Sequence, residues 1–266
     1  MKNLFILLTV LLLCGCDDLF EAHPYAGKVT GETDINAKNT ARIETACAAK
    51  KNIRFIMMGD TQRHYDETED FVKSVNQRND VDFVIHGGDI SDFGLTKEFA
   101  WMRDIMNGLK VPYVVLIGNH DCLANGTEIY RTIFGDENFS FLAGDCKFVC
   151  LNTNALEYDY SHPVPDFTFI ENCIGERRAG HERTVVVMHA PPHSEQFDNN
   201  VARVFQRYIT QFSGLQFCLN AHEHRVSAED RFNDGVIYYG SPSIEKRKYL
   251  LFTLKPGGYD HEVVQF

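Results

Sequence analysis

Four short apolar runs, each closed by small and polar residues, organise the middle of this chain. Residues 53–58 are apolar apart from Arg54 and end in Gly59-Asp60. Residues 82–86 end in Gly87-Gly88-Asp89, residues 112–117 in Gly118-Asn119-His120-Asp121, and residues 184–188 in His189. Brief apolar runs bounded by turn residues predict buried β-strands. Between them, Met102, Ile105, Met106 and Leu109 recur at helical spacing. So do Val201, Val204, Phe205, Tyr208, Ile209 and Phe212, and each set predicts an amphipathic helix. A further short helix is expected within 36–49. Strand, helix, strand in that order implies parallel crossovers and an α/β fold. The last third carries strand-like runs at 216–219, 236–239, 249–254 and 262–265 with few helical signals. It predicts a second sheet packed on the first.

The opening of the chain follows a different pattern. Met1-Lys2-Asn3 precedes an apolar run over residues 4–13, interrupted by Thr9. That run matches the apolar core of a secretory signal and is too short to cross roughly 30 Å of hydrocarbon. It lacks the amphipathic period of a helix packed on a core. The run closes in Leu13-Cys14-Gly15-Cys16, which resembles the lipobox of bacterial lipoproteins. The resemblance implies cleavage before Cys16, lipidation of Cys16, and attachment to a membrane of the bacterial cell envelope through the lipid anchor. Asp17-Asp18 follow and leave the periplasmic face and the cell surface both open. The expected organisation is a signal peptide at 1–15, a lipidated N-terminus and polar tether at 16–51, and a single domain at 52–266.

Composition narrows the functional classes. The 266 residues include 26 Lys+Arg against 37 Asp+Glu, a net charge of −11, with 44% hydrophobic residues. The hydrophobic share suits a folded domain. The acid excess argues against extended nucleic acid as a partner, because no basic surplus is present to neutralise phosphates. A small phosphate substrate held by metal ions stays open. Eight Cys are too few for a disulfide scaffold at this length, and their connectivity cannot be read from sequence. Oligomeric state is likewise not encoded in any pattern. No Gly-x-Ser-x-Gly elbow and no Gly-x-x-x-x-Gly-Lys-Ser/Thr loop is present, which removes the serine hydrolase and P-loop classes.

The polar residues gather where the strands end. Four runs deliver Asp60, Asp89, Asn119 with His120, and His189 to one edge, and Ala221-His222-Glu223-His224 follows the run at 216–219. In open α/β sheets, ligands bind beyond the carboxyl ends of strands. Imidazole with carboxylate oxygen suits Mn, Fe, Zn or Ni better than a thiolate-binding metal. Taken singly, each aspartate reads as a turn or cap residue and His189 as a satisfied strand-end histidine. The constellation, in order, carries the signal.

Gly59-Asp60-Thr61-Gln62, Gly88-Asp89-Ile90-Ser91-Asp92, Gly118-Asn119-His120-Asp121, His189 and His222-Glu223-His224 together resemble the calcineurin-like metallophosphoesterase superfamily. The resemblance covers nearly all of residues 53–266. It implies a four-layer αββα sandwich of two mixed β-sheets flanked by helices. It also implies two divalent metal ions (Mn, Fe or Zn) and hydrolysis of a small phosphomonoester or phosphodiester by a metal-bridging hydroxide. By the same resemblance, Asp60, Gln62, Asp89 and His224 hold one metal, and Asp89, Asn119, His189 and His222 hold the other. His120 is then the general acid for the leaving oxygen, with Asp92 orienting it and Asp121 a weaker supporting candidate.

Two positions depart from the family's pattern. Gln62 stands where histidine is usual, and an amide oxygen is a weaker ligand than imidazole. His64 lies two residues on as a substitute ligand, and His64 and Arg225 are candidate substrate contacts. Ala221 stands where glycine is usual, which costs little unless that residue needs a positive φ. Residues 154–166, with Tyr158, Tyr160, His162 and two prolines, are the expected specificity loop. Cys122 is read as a small packed residue. Gln62 also keeps a competing class open: a non-catalytic metal- or ligand-binding surface lipoprotein on a degenerate phosphoesterase scaffold.

Overall fold

A computed structural model describes residues 28–176 and 181–266. The signal segment and Cys16 lie outside the described residues. Strands β1 (Ile53–Met58), β2 (Phe83–His86) and β3 (Tyr113–Val115) run parallel, in the order the apolar runs predict. Six further strands are β4 (Phe139–Ala143), β5 (Cys146–Leu151), β6 (Arg183–Met188), β7 (Leu215–Asn220), β8 (Ser227–Asp230) and β9 (Ile237–Gly240). They form a second sheet in the order β4-β5-β6-β7-β9-β8, parallel from β5 through β9 with antiparallel edges. The last two strands, β10 (Lys248–Lys255) and β11 (Gly258–Gln265), return to the first sheet. They give it the order β11-β10-β1-β2-β3, with β10 antiparallel to β1.

The second sheet therefore begins in the middle third of the chain, not in its last third. Alternation along a strand says which faces are apolar, but not which sheet the strand joins. The free edge of β1 decides the matter, and the hairpin β10–β11 covers it.

Helices α1 (Ile35–Cys47), α2 (Tyr65–Asn76), α3 (Thr96–Met106) and α4 (Gly126–Ile133) accompany the first sheet. Helices α5 (Phe167–Gly175) and α6 (Ala202–Ile209) accompany the second. Strand alternation sorts side chains into three apolar layers. Phe55, Met57, Phe83 and Ile85 face Phe148, Val185, Val187 and Phe217 between the sheets. Ile56, Met58 and Val84 face the other way, onto Phe71, Phe99, Met102 and Ile129 of the helices. Val186, Met188 and Cys218 pack on Ile170, Phe205 and Ile209. The four-layer αββα sandwich is the observed fold.

Helix α1 lies inside the segment expected to act as a tether, yet it is built into the core through Ile35, Ile43 and Cys47. It also closes the edge of the first sheet. Asn36 Nδ2 donates to Val115 O at 2.8 Å, Val115 N donates to Asn36 Oδ1 at 2.8 Å, and Asn39 Nδ2 donates to Tyr113 O at 2.8 Å. Two amide side chains thus stand in for a neighbouring strand, which satisfies backbone groups an edge would leave bare.

Candidate metal centre

The loops after β1, β2, β3, β6 and β7 meet at one end of the sandwich, where both sheets present their parallel strand ends. Asp60 (φ 51°), Gln62 (φ 37°), Asp89 (φ 56°), His222 (φ 68°) and His224 (φ 52°) all adopt left-handed backbone. Such conformations are costly for residues other than glycine and persist where the surroundings over-determine them. Here main-chain bonds do so. Asp60 N donates to Gly88 O, and Thr61 N and Gln62 N both donate to Asp89 O, each at 3.0 Å. Ala221 N donates to His189 O at 3.1 Å.

Close approach explains the two glycines that precede ligand candidates. A Cβ on Gly88 would lie 2.6 Å from His189 Nδ1, and one on Gly118 would lie 2.2 Å from Asp89 Oδ1. Ala221 is fully buried and is absent from the positive-φ positions. Its methyl fits because Gly87 faces it, where an added Cβ would come within 2.9 Å.

The candidate ligand atoms converge, and three of them face no donor: Asp60 Oδ2, His189 Nε2 and His222 Nδ1. Among the described residues, Asp60, Asp89 and His189 are all buried and offer ligand atoms within 4.8 Å of one another. His189 Nδ1 lies 2.8 Å from Gly87 O, an acceptor, so Nδ1 carries the proton and Nε2 presents a lone pair. That Nε2 sits 3.0 Å from Asn119 Oδ1 and 3.5 Å from Asp89 Oδ1. His222 Nε2 faces Glu195 Oε1 at 3.0 Å, which leaves Nδ1 as the lone pair, 3.1 Å from the same Asn119 Oδ1. Asp60 Oδ2 is buried with no hydrogen-bond partner among the described residues, while its Oδ1 lies 3.4 Å from His224 Nε2. Buried acceptors facing acceptors are unfavourable unless a cation shares them. The donor set therefore fits divalent metal, with Asp89 between the two groups of ligands.

Electrostatics agree. Burial and then the charge of Asp60 push the Asp89 carboxyl up to about 7. Burial raises Asp60 as well, but His224, His189 and His222 outweigh it and hold that carboxyl below its ordinary value. Burial lowers both His189 and His222, keeping them neutral as ligation requires. Gln62 donates from Nε2 to Asp89 Oδ2 at 3.3 Å, so its amide lies against that carboxylate.

Around this cluster the remaining candidates divide. His120 is tied in by its backbone, whose N donates to Asp89 Oδ1 at 2.9 Å. Its ring Nδ1 lies 2.7 Å from Asp92 O and 3.6 Å from Asp92 Oδ1. Asp92 thus reaches His120 chiefly through its carbonyl, and its carboxylate accepts from Arg63 Nη2 at 2.8 Å. Asp121 accepts from Gly118 N, Ile90 N, Ser91 N and Ser91 Oγ, bracing two of the ligand loops. His64 faces Glu67 at 4.0 Å, and Arg225 pairs with Glu223 and Glu229. These are the side-chain contacts of the two residues among the described residues. Tyr158 and His162 line a cavity of about 280 Å³ with Asn125, Glu128 and Arg131. Cys122 Sγ is 3.6 Å from Tyr158 Oη, and burial pushes its thiol up, as expected of a packed residue. Glu195 was not visible in the sequence, since nothing in a Ser-Glu-Gln stretch marks a carboxylate that meets His222 from another loop.

Comparison with known proteins bears on this geometry. The family model described as calcineurin-like phosphoesterase matches residues 53–226, which span every ligand candidate. A 3',5'-cyclic-nucleotide phosphodiesterase of Nostoc sp. is 24% identical over 173 residues, covering 62% of this chain and 64% of that protein. The chain therefore matches just under two thirds of that relative's length. GAP50, the anchor in the inner membrane complex of Plasmodium, superposes with a TM-score of 0.64 at 11% identity, over 81% of this chain and 85% of that one. A dimetal phosphatase from Danio rerio gives 0.56 at 11% identity, over 80% and 99%. These structural likenesses establish the fold.

Proposed function

Because the chain belongs to the calcineurin-like phosphoesterase family, we propose that it hydrolyses phosphomonoesters or phosphodiesters with divalent metal held at the strand ends. The observation that carries this reading is the convergence of buried Asp60, Asp89 and His189, with Asp60 Oδ2 left unpaired and the His189 Nε2 lone pair facing oxygens of Asn119 and Asp89. When bound, two divalent cations supply a nucleophile from water near neutral pH and neutralise phosphoryl oxygens. Asp60, Gln62, Asp89 and His224 would hold one ion; Asp89, Asn119, His189 and His222 would hold the other. His120 serves the leaving group. With Nδ1–H fixed on Asp92 O, its Nε2 is the atom that delivers a proton to the departing oxygen. Arg63 and Asp92 hold that arrangement from behind.

A cyclic nucleotide joins the candidate substrates because of the Nostoc relative. The test is turnover of p-nitrophenyl phosphate, bis(p-nitrophenyl) phosphate and a 3',5'-cyclic nucleotide by purified protein loaded with Mn²⁺ or Zn²⁺. Turnover of at least one is expected, and inactivity on the whole panel with both metals would sink the reading. A binding role without turnover is the second reading, favoured by the weak Gln62 ligand. It requires one ion or none per chain, measured by elemental analysis.

Attachment to the cell envelope through Cys16 belongs to the same proposal. It rests on the apolar run and the Leu13-Cys14-Gly15-Cys16 motif. Among the described residues no helix is long and apolar enough to cross a membrane. Cys16→Ser is expected to move the protein from the membrane fraction to the soluble fraction and to remove acyl label. Retention of both would rule the anchor out.

A further inference from the structure

We propose that Arg231 is a positioning residue for the metal centre, coupling the two loops of the six-stranded sheet that carry imidazole ligands. The inference rests on the reading of the centre above. Arg231 follows β8 and lies outside every motif, yet its side chain is 6% exposed. Its Nη1 donates to Pro192 O at 2.8 Å, in the loop that begins at His189. Its Nη2 donates to Glu223 Oε2 at 2.5 Å and pairs with Glu229 Oε2 at 3.0 Å. Glu223 stands between His222 and His224, so one guanidinium holds both ligand loops at once. The next residue reinforces the contact, because the Phe232 ring lies 4.9 Å from the ring of His193.

The loops need such a hold. His193 (φ 74°), His222 and His224 are all left-handed, a conformation that relaxes unless its surroundings forbid it. Glu195, from the first loop, already meets His222 Nε2, but its side chain is 77% exposed and screened by water. The buried Arg231 is the stronger tie. Its planar fork serves a carbonyl and a carboxylate together, which the single ammonium of lysine cannot reproduce. Arg225 also touches Glu223, at 3.3 Å, but it is half exposed and makes no bond to the first loop among those described.

A merely structural ion pair would change stability and leave metal affinity alone, so the discriminating readout is Mn²⁺ binding. The experiment titrates Mn²⁺ into metal-free full-length wild type, R231K, R231M, E223M and R231M/E223M, and records the melting of each without metal. The expected result is Mn²⁺ affinity weaker by about ten- to a hundredfold in R231K, R231M and E223M, the range for residues that orient ligands. The double variant should be no weaker than the worse single one, because one tie is lost in each. If R231M fails to fold, R231K and E223M carry the comparison. Two ions bound by R231K with the wild-type isotherm would overturn the inference while leaving the centre intact. Losses that multiply in the double variant would overturn the shared tie. A wild-type chain that binds no Mn²⁺ would overturn the reading of the centre and the inference with it.

Discussion

At His120 the main-chain N–H is committed to Asp89 Oδ1 and the ring to Asp92 O, so the side chain can be removed without touching a ligand. His120→Ala should lower kcat on alkyl phosphoesters by about 10²–10⁴, the span for general acid catalysis. The loss should be smaller on nitrophenyl esters, whose leaving group departs without a proton. Metal content should stay as in wild type. Steady-state kinetics on both ester types with elemental analysis check this, and equal losses on both would remove the acid role. His86 makes a different prediction. Its Nδ1 accepts from Gly88 N at 3.2 Å and its Nε2–H donates to Thr61 Oγ1 at 2.9 Å, so both nitrogens are used by the neutral ring. Burial holds its pKa down to about 3. The unfolded residue titrates near 6.5, so below that pH the unfolded chain binds the extra proton and the folded one does not. Stability contributed by this residue is therefore lost as pH falls from about 6.5 toward 3, amounting to about 2–3 kcal/mol by pH 4.5. Urea midpoints at pH 7 and 4.5 should draw closer in His86→Gln than in wild type. Parallel behaviour would show that the ring is protonated in the fold at little cost.

At the scale of elements, the edge strand β3 is the short one, and it carries Asn119 and His120 just beyond its end. Its register depends on α1 through Asn36 and Asn39. Asn36→Ala leaves Val115 N without its acceptor in a buried position, and should cost about 1–3 kcal/mol. Chemical denaturation reads this directly, and a change within error would mean that water replaces the amide. This clip explains what was legible in the sequence and what was not. The strands and their ligand-bearing ends were, because apolar runs and the residues that close them are local signals. Asp60, Asp89 and His189 meet as the order of the motifs implied. The joining of β10 to β1 was not legible, since pairing across most of the chain leaves no periodic trace. Helix α2 buries Phe71, Val72 and Val75, a stripe too short to stand out beside polar neighbours. Arg231 and Glu195 were hidden for the same reason as the clip. A charged residue in a loop reads as solvated until folding brings its partner from another segment.

Across the whole molecule the centre belongs to both sheets. Asp60, Asp89 and Asn119 come from the ends of β1, β2 and β3, whereas His189 and His222 come from the ends of β6 and β7. Metal bound here spans the sandwich at one end, while Phe55, Phe83, Phe148 and Phe252 hold it together through the middle. Without metal, that end holds two buried carboxyls and two imidazoles, His189 and His222, whose lone pairs face the Asn119 oxygen, an unfavourable arrangement at the joint between sheets. Binding to the folded state alone stabilises by RT ln(1 + [L]/Kd), about 2.7 kcal/mol for one site at a hundredfold excess over Kd. For a domain of this size each kcal/mol moves the midpoint by roughly 2–4 °C. Chelation should therefore lower the Tm by about 5–10 °C, and added Mn²⁺ should restore it in proportion to the logarithm of its concentration. Asp89→Asn should show no such response, because the proposed centre then lacks one of its two buried carboxylates. Calorimetry of wild type and Asp89→Asn with and without chelator decides the point: a midpoint indifferent to chelation in wild type would mean that metal does not bind the folded state in preference to the unfolded one.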